Sequence, residues 1–229
     1  MEAASARKKR GSRFSAPGAL VILSLLVARD APARGAVEAR VCMETPLFAV
    51  ARPARTTHWT DGLGPIDVMN VTARTTARIL FYARDGEIDE TARADLERVA
   101  SNDPEPHPLA VRVEQLVMKA AYHFDGARVL VVSGWRENAG RHGTGDAVDF
   151  KLQGVPAALL AAYLRKLARV GVGVYTHPRT QFVHLDVREE SYHWLDASPP
   201  GVKWREWQLR DPHGKERDAS WTEEGDLPL

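Results

Sequence analysis

Apolar and polar positions along the chain follow two different periods, and each change of period marks a predicted element. Residues 66–71 and 78–83 (RILFYA) are β-rich runs, the second ended by the turn dipeptide Asp85-Gly86. Asp89 then stands where a helix N-cap is expected, ahead of Ala92, Leu96 and Val99 on one helical face. The Pro-rich break Asp103-Pro104-Glu105-Pro106 separates this helix from a second one over about 108–124. Its stripe of Leu109, Val113, Leu116, Val117, Ala120 and Phe124 has helical spacing and reads as core. Strands are predicted at 128–132 and 147–152. Pro156 opens a third helix faced by Leu160, Tyr163, Leu164 and Leu167 and closed by Gly171. Residues 172–175 and 181–187 read as strands joined only by Thr176 to Thr180, a spacing that predicts antiparallel pairing.

Charge changes the picture at the amino end. The chain is nearly neutral, +1 from 31 basic and 30 acidic residues, so no bulk positive field draws it to nucleic acid. Residues 1–33 nevertheless hold Arg7, Lys8, Lys9, Arg10, Arg13 and Arg29 against only Glu2 and Asp30. The run from Phe14 to Ala28 carries no charge. As a helix it spans roughly 22 Å, short of the ~30 Å hydrocarbon core. With Ala31-Pro32-Ala33 behind it, the segment reads as a secretory signal peptide over 1–33, the alternative being an uncleaved anchor in the inner membrane. The expectation is a periplasmic or secreted protein that meets the membrane only through this segment. Residues 34–64, rich in Ala, Arg, Pro and Thr, read as a linker or loosely packed lead-in. A single cysteine, Cys42, excludes internal disulfides and multi-cysteine metal sites, so any metal here must use histidine and carboxylate.

Such a set is present. His142 precedes a predicted strand and Asp149 lies within it, with Gly145 between them to let the backbone turn. Ala147 and Asp149 share a strand face, so Asp149 can point back toward His142. His184 follows in another strand, within Phe182-Val-His-Leu-Asp186. Two imidazoles and one carboxylate supply three zinc ligands and leave a fourth position open, the arrangement of catalytic rather than structural zinc. Zinc, one per chain, lowers the pKa of bound water toward ~7; manganese or nickel could substitute in vitro.

The pattern H-x-x-G-x-A-x-D followed by V-H-L-D resembles the zinc peptidases that include D-Ala-D-Ala metallopeptidases and the amino-terminal domain of hedgehog proteins. Ser133-Gly-Trp-Arg136, Gly171-Val-Gly-Val-Tyr175 and Tyr192-His193-Trp194 are similar to the exported murein endopeptidase K family. The likeness covers roughly 60–196. It implies an α+β fold with a small antiparallel sheet and flanking helices, and zinc-dependent hydrolysis of the stem-peptide cross-links of peptidoglycan. The chain is then expected to divide into signal (1–33), lead-in (34–64), zinc peptidase-like domain (65–196) and C-terminal tail (197–229). The resemblance also implies His142, Asp149 and His184 as zinc ligands, Arg136 as the arginine facing substrate, and Ser133 beside it.

Two departures stand out. Only five residues separate Arg136 from His142, where the resemblance leads one to expect a much longer loop. Where related peptidases place a His or Glu as base, just before the last ligand, this chain has Gln181 and Phe182. Asp186, on the same strand face as His184, is the nearest remaining carboxylate, either as general base or as a group that orients a ligand histidine. His177 and His193 are further candidates for the site. His58, His107, His123 and His213 read as surface or core residues. The tail tryptophans, Trp204, Trp207 and Trp221, offer either a glycan-stacking surface or packing against the domain. A non-catalytic binding module on the same fold is the alternative to an enzyme.

Overall fold

The computed structural model describes residues 58–229 apart from 104, 106, 138 and 203–205. The expected signal, most of the lead-in segment, Cys42 and Trp204 therefore lie outside the described residues. In chain order the elements are β1 (Ile66–Asn70), β2 (Thr76–Ile79), α1 (Glu90–Ala100), α2 (Val111–His123), β3 (Val129–Ser133) and β4 (Ala147–Leu152). There follow α3 (Ala157–Leu164), β5 (Val170–Tyr175), β6 (Val183–Val187), β7 (Tyr192–Asp196), β8 (Trp207–Gln208) and α4 (Gly214–Ala219). Among the described residues no helix is long and apolar enough to cross a membrane.

The fold is α+β, but the sheet is neither small nor purely antiparallel. Eight strands form one mixed sheet in the order β2-β1-β3-β4-β6-β5-β7-β8. Two pairs, β1 with β3 and β5 with β7, run parallel. The second follows from edge occupancy. β6 folds back antiparallel on β5, as its short connection predicts, while its other edge pairs with β4. The returning chain finds only the far edge of β5 free, and there it must run parallel. The first arises because α1 and α2 fill the connection between β1 and β3, a crossover that parallel neighbours require.

Local chemistry sets the element boundaries. Asp89 caps α1 by accepting the Ala92 N–H at 2.9 Å, and Leu96 and Val99 are buried on its inner face. The α2 stripe of Val113, Leu116, Val117 and Ala120 is buried as its spacing predicts. The run 78–83 departs from expectation. Its ladder ends at Ile79, and Phe81 and Tyr82 are buried in the core, with Tyr82 forming only a single bridge to Ile88. Gly171 does not close the third helix, which ends at Leu164; it is the second residue of β5. A Cβ there would collide with the side chains of Asp186 and Arg188.

Apart from an irregularity in β3 between Val131 and Ser133, the inner strands alternate between two faces. Val129, Val131, Val148, Phe150, Leu152, Val170, Val172, Val174, Val183 and Leu185 are buried in one core with residues of α1, α2 and α3. Each large aliphatic side chain so buried contributes about 1.5–3 kcal/mol. The opposite face carries Ala147 and Asp149 on β4, His184 and Asp186 on β6, and Gly171 and Gly173 on β5. Residues beyond 196 also pack on this framework. β8 extends the sheet from β7. Asp218 accepts the N–H groups of Arg169 and Ser191, each at 2.6 Å. Asp226 accepts from Arg112 at 2.7 Å and from the Trp221 indole at 2.9 Å. Arg112 and Arg169 also lie over the Trp221 ring, whereas Trp207 is largely exposed.

Candidate metal centre

Three backbone devices bring His142, Asp149 and His184 together. Asp149 and His184 are direct cross-strand partners on β4 and β6, so their side chains rise side by side. A register shift between Val131 and Ser133 places Ser133 opposite Asp149 on the other side. His142 ends a short 3-10 turn, Gly140–His142, in the loop before β4. That loop needs Gly145 at φ +78°, where a Cβ would also strike the Pro108 carbonyl.

The ligand atoms converge. His184 Nδ1 lies 2.8 Å from Asp149 Oδ1, His142 Nε2 lies 3.4 Å from the same oxygen, and the two imidazole nitrogens are 3.2 Å apart. The three residues form a group whose ligand atoms all lie within 4.8 Å of one another. Each imidazole is held from behind. His142 Nδ1–H donates to the Gly134 carbonyl at 2.6 Å, and since a carbonyl can only accept, Nε2 is left with its lone pair toward the cluster. His184 Nε2–H donates to Asp186 Oδ2 at 3.1 Å, which turns Nδ1 inward. A ligand histidine whose other nitrogen is tied to a carboxylate or carbonyl is the usual arrangement around bound metals. The donor set and its supports therefore fit a divalent cation.

Electrostatics agree with the geometry. Burial alone would lower the His184 pKa, but the carboxylates of Asp149 and Asp186 on its two nitrogens outweigh it and raise the pKa to about 9. Burial would raise that of Asp149, but its hydrogen bonds with His142 and His184 bring it down to about 2. The metal-free cluster thus holds an imidazolium between two carboxylates, and a divalent cation would take the place of its proton.

Asp186 sits behind His184, fully buried. Arg188 grips it through Nε and Nη2, and Arg141 Nε approaches at 3.4 Å. Burial pushes its pKa up, but His184 and Arg188 hold it below the ordinary value. Arg136 stands in front, its side chain 48% exposed, with Nη2 3.4 Å from the outer oxygen of Asp149. The Ser133 hydroxyl is buried and has no hydrogen-bond partner among the described residues.

The other two histidine candidates are not joined to the cluster. His177 sits in the β5–β6 turn and accepts the Arg179 N–H at 3.2 Å. His193 is buried and bonds Asp211 at 3.0 Å. On β7 the neighbouring Trp194 points the opposite way, and its ring lies 5.1 Å from that of His184. Trp194 fits there because Gly173, its cross-strand partner, has no Cβ for the indole to meet. Sequence reasoning gave no site role to Trp194 or Tyr175, quoted only within the motifs of the resemblance, and missed Arg141 and Arg188. The alternating glycines of Val-Gly-Val-Gly-Val were the available signal, since two side-chain-free positions on one strand face mark a face that something large covers.

A cavity of about 410 Å³ lined by Lys119, Tyr122, His123 and Tyr163 includes none of the cluster residues. Fold and site together define a mixed-sheet α+β protein with a two-histidine, one-aspartate cluster. Compared with family models, with curated proteins and with solved structures, the chain matches none.

Proposed function

We propose that this chain is an exported zinc peptidase that hydrolyses the stem-peptide cross-links of peptidoglycan. The observation that carries this reading is the convergence of His142 Nε2, Asp149 Oδ1 and His184 Nδ1, with the far nitrogen of each imidazole anchored by an acceptor. The sequence resemblance supplies the substrate class. When bound, zinc supplies Lewis acidity toward a carbonyl and an acidified water. Arg136, half-exposed beside Asp149, holds an anionic part of the substrate, since a guanidinium fork matches carboxylate geometry. Ser133 offers a free hydroxyl on the other flank of Asp149. Asp186 acts as a positioning residue that fixes the tautomer of His184. Shared between an imidazole and two guanidiniums, it is poorly placed to shuttle a proton.

The test is incubation of the purified protein with peptidoglycan, with zinc and with chelator, followed by mass analysis of released peptides. Chelator-sensitive release of cross-link fragments is expected. A His142→Ala, His184→Ala double variant should hold no metal, and full occupancy in it would remove the ligand assignment. The commitment of Asp186 to ion pairs, with Phe182 stacked on Tyr175 where relatives place a base, favours a second reading: a non-catalytic wall-binding module. Retention on peptidoglycan with no product would support that reading.

A further inference from the structure

If Asp186 is occupied with orienting His184, the reacting end of the site needs another polar group. The sheet supplies one on the strand beside His184. Gly173 of β5 is the direct partner of His184, and Tyr175 follows two residues on, on the same face. Its ring stacks on Phe182 with centroids 4.2 Å apart and planes 15° apart, and its N–H donates to the Phe182 carbonyl at 3.0 Å. Both ring and backbone are thereby held. The ring therefore lies on the ligand face of the sheet, beside the strand that carries His184.

Trp194 is the second observation. It is 6% exposed, and its indole lies over Gly173 with its ring 5.1 Å from that of His184. Burial raises the pKa of the Tyr175 phenol above its ordinary value. At neutral pH Tyr175 is therefore a neutral O–H, a donor and not a base.

We propose that Tyr175 is a catalytic residue whose O–H donates to the carbonyl oxygen of the peptide bond under attack, with Trp194 as the positioning residue beside it. This rests on the peptidase reading. Water adds its oxygen to the carbonyl carbon while the carbonyl oxygen gains negative charge. When the C–N bond breaks, that charge returns to the carbonyl and the amine leaves with a proton from the water. Tyr175 keeps its proton throughout and contributes by binding the oxygen more strongly as its charge grows.

The test compares wild type with Tyr175→Phe, which keeps the stacked ring and removes only the hydroxyl. Metal content should be equal, while kcat on a cross-linked stem peptide falls about 10²–10³-fold with little change in KM. A stem-peptide phosphinate, with the tetrahedral anion replacing the scissile amide, supplies a readout apart from turnover. By calorimetry its affinity should fall about 100-fold in Tyr175→Phe, with that of the parent peptide held within about threefold. Trp194→Phe should cost about threefold to tenfold alone and nothing further in the Tyr175→Phe background; an additive loss would remove Trp194 from the assignment. An active wild type whose Tyr175→Phe variant keeps full turnover, or keeps its phosphinate affinity, overturns the role of Tyr175 and leaves the peptidase reading standing. A wild type that loads metal but neither cleaves the peptide nor binds the phosphinate overturns both.

Discussion

The two faces of strands β4, β5 and β6 are built from alternate residues of the same short segments, yet they follow opposite rules. On the helix side, Val148, Phe150, Val172, Val174, Val183 and Leu185 are large, apolar and nearly fully buried. On the other side the same strands carry Ala147, Asp149, Gly171, Gly173, His184 and Asp186. There the volume is left empty by small residues and refilled from neighbours: Trp194 over Gly173, and the Asp186–Arg188 pair over Gly171. The first face gains stability by removing apolar area from water. The second holds buried charges whose desolvation is offset only because each has a partner. Folding energy and candidate chemistry are thus separated by one pleat.

The largest effect expected on the comparison is on the helix face. Phe150→Ala should lower unfolding free energy by about 3–5 kcal/mol in urea titration, through lost burial and an incompletely filled cavity. A loss below about 1 kcal/mol would mean that this face is not where the stability resides.

On the opposite face, Asp186→Asn should weaken zinc binding about 10–100-fold in a chelator competition, because His184 loses the charged acceptor that fixes its tautomer. Unchanged zinc affinity with a loss of turnover of about 100-fold would return Asp186 to the role of general base.

The pH response separates the metal-free from the metal-loaded cluster. With its folded pKa at about 9, above the ordinary 6.5, His184 contributes stability that is fully present below about pH 6.5 and is lost as pH rises through 9. Asp149, depressed to about 2 from 3.8, contributes stability present above about pH 4 and lost as pH falls through 2. Metal-free protein should therefore melt highest between about pH 4 and 6.5, whereas zinc affinity should rise with pH toward 9 as the competing proton leaves. Thermal melts across pH with and without zinc check both slopes, and parallel curves would count against this cluster as the metal site.

The smallest effect is expected at Arg136, whose half-exposed side chain makes one ion pair among the described residues, at 3.4 Å to Asp149. Arg136→Lys should reduce turnover by roughly tenfold or less with metal content unchanged. Equal turnover would make Arg136 a partner of Asp149 alone.

Much of this molecule was legible along the chain because local physics dictates it. The Asp89 cap, the α2 stripe and the 147–152 strand depend on residues within a turn or two of one another, and each stands where its spacing puts it. The two-histidine, one-aspartate cluster was legible for a related reason: His142 and Asp149 are close in sequence, and a strand's two-residue period aims Asp149 back at the loop. The sheet's size and mixed direction were not. They depend on which strand edges remain free once β4 and β5 flank β6, a property of the assembled sheet. Strand parity across β7 is of the same kind. His193 read as the site residue of its segment, but pairing with β5 turns Trp194 toward His184 and sends His193 to Asp211. Asp186 was recognisable as a carboxylate near the site; only Arg188, folded over Gly171, and Arg141 make it a buried anchor. The sequence by itself determined the ligand types and the local elements, because these rest on nearest-neighbour chemistry. Only the tertiary structure decided which face, which partner and which role, because register and edge pairing join residues far apart in the chain.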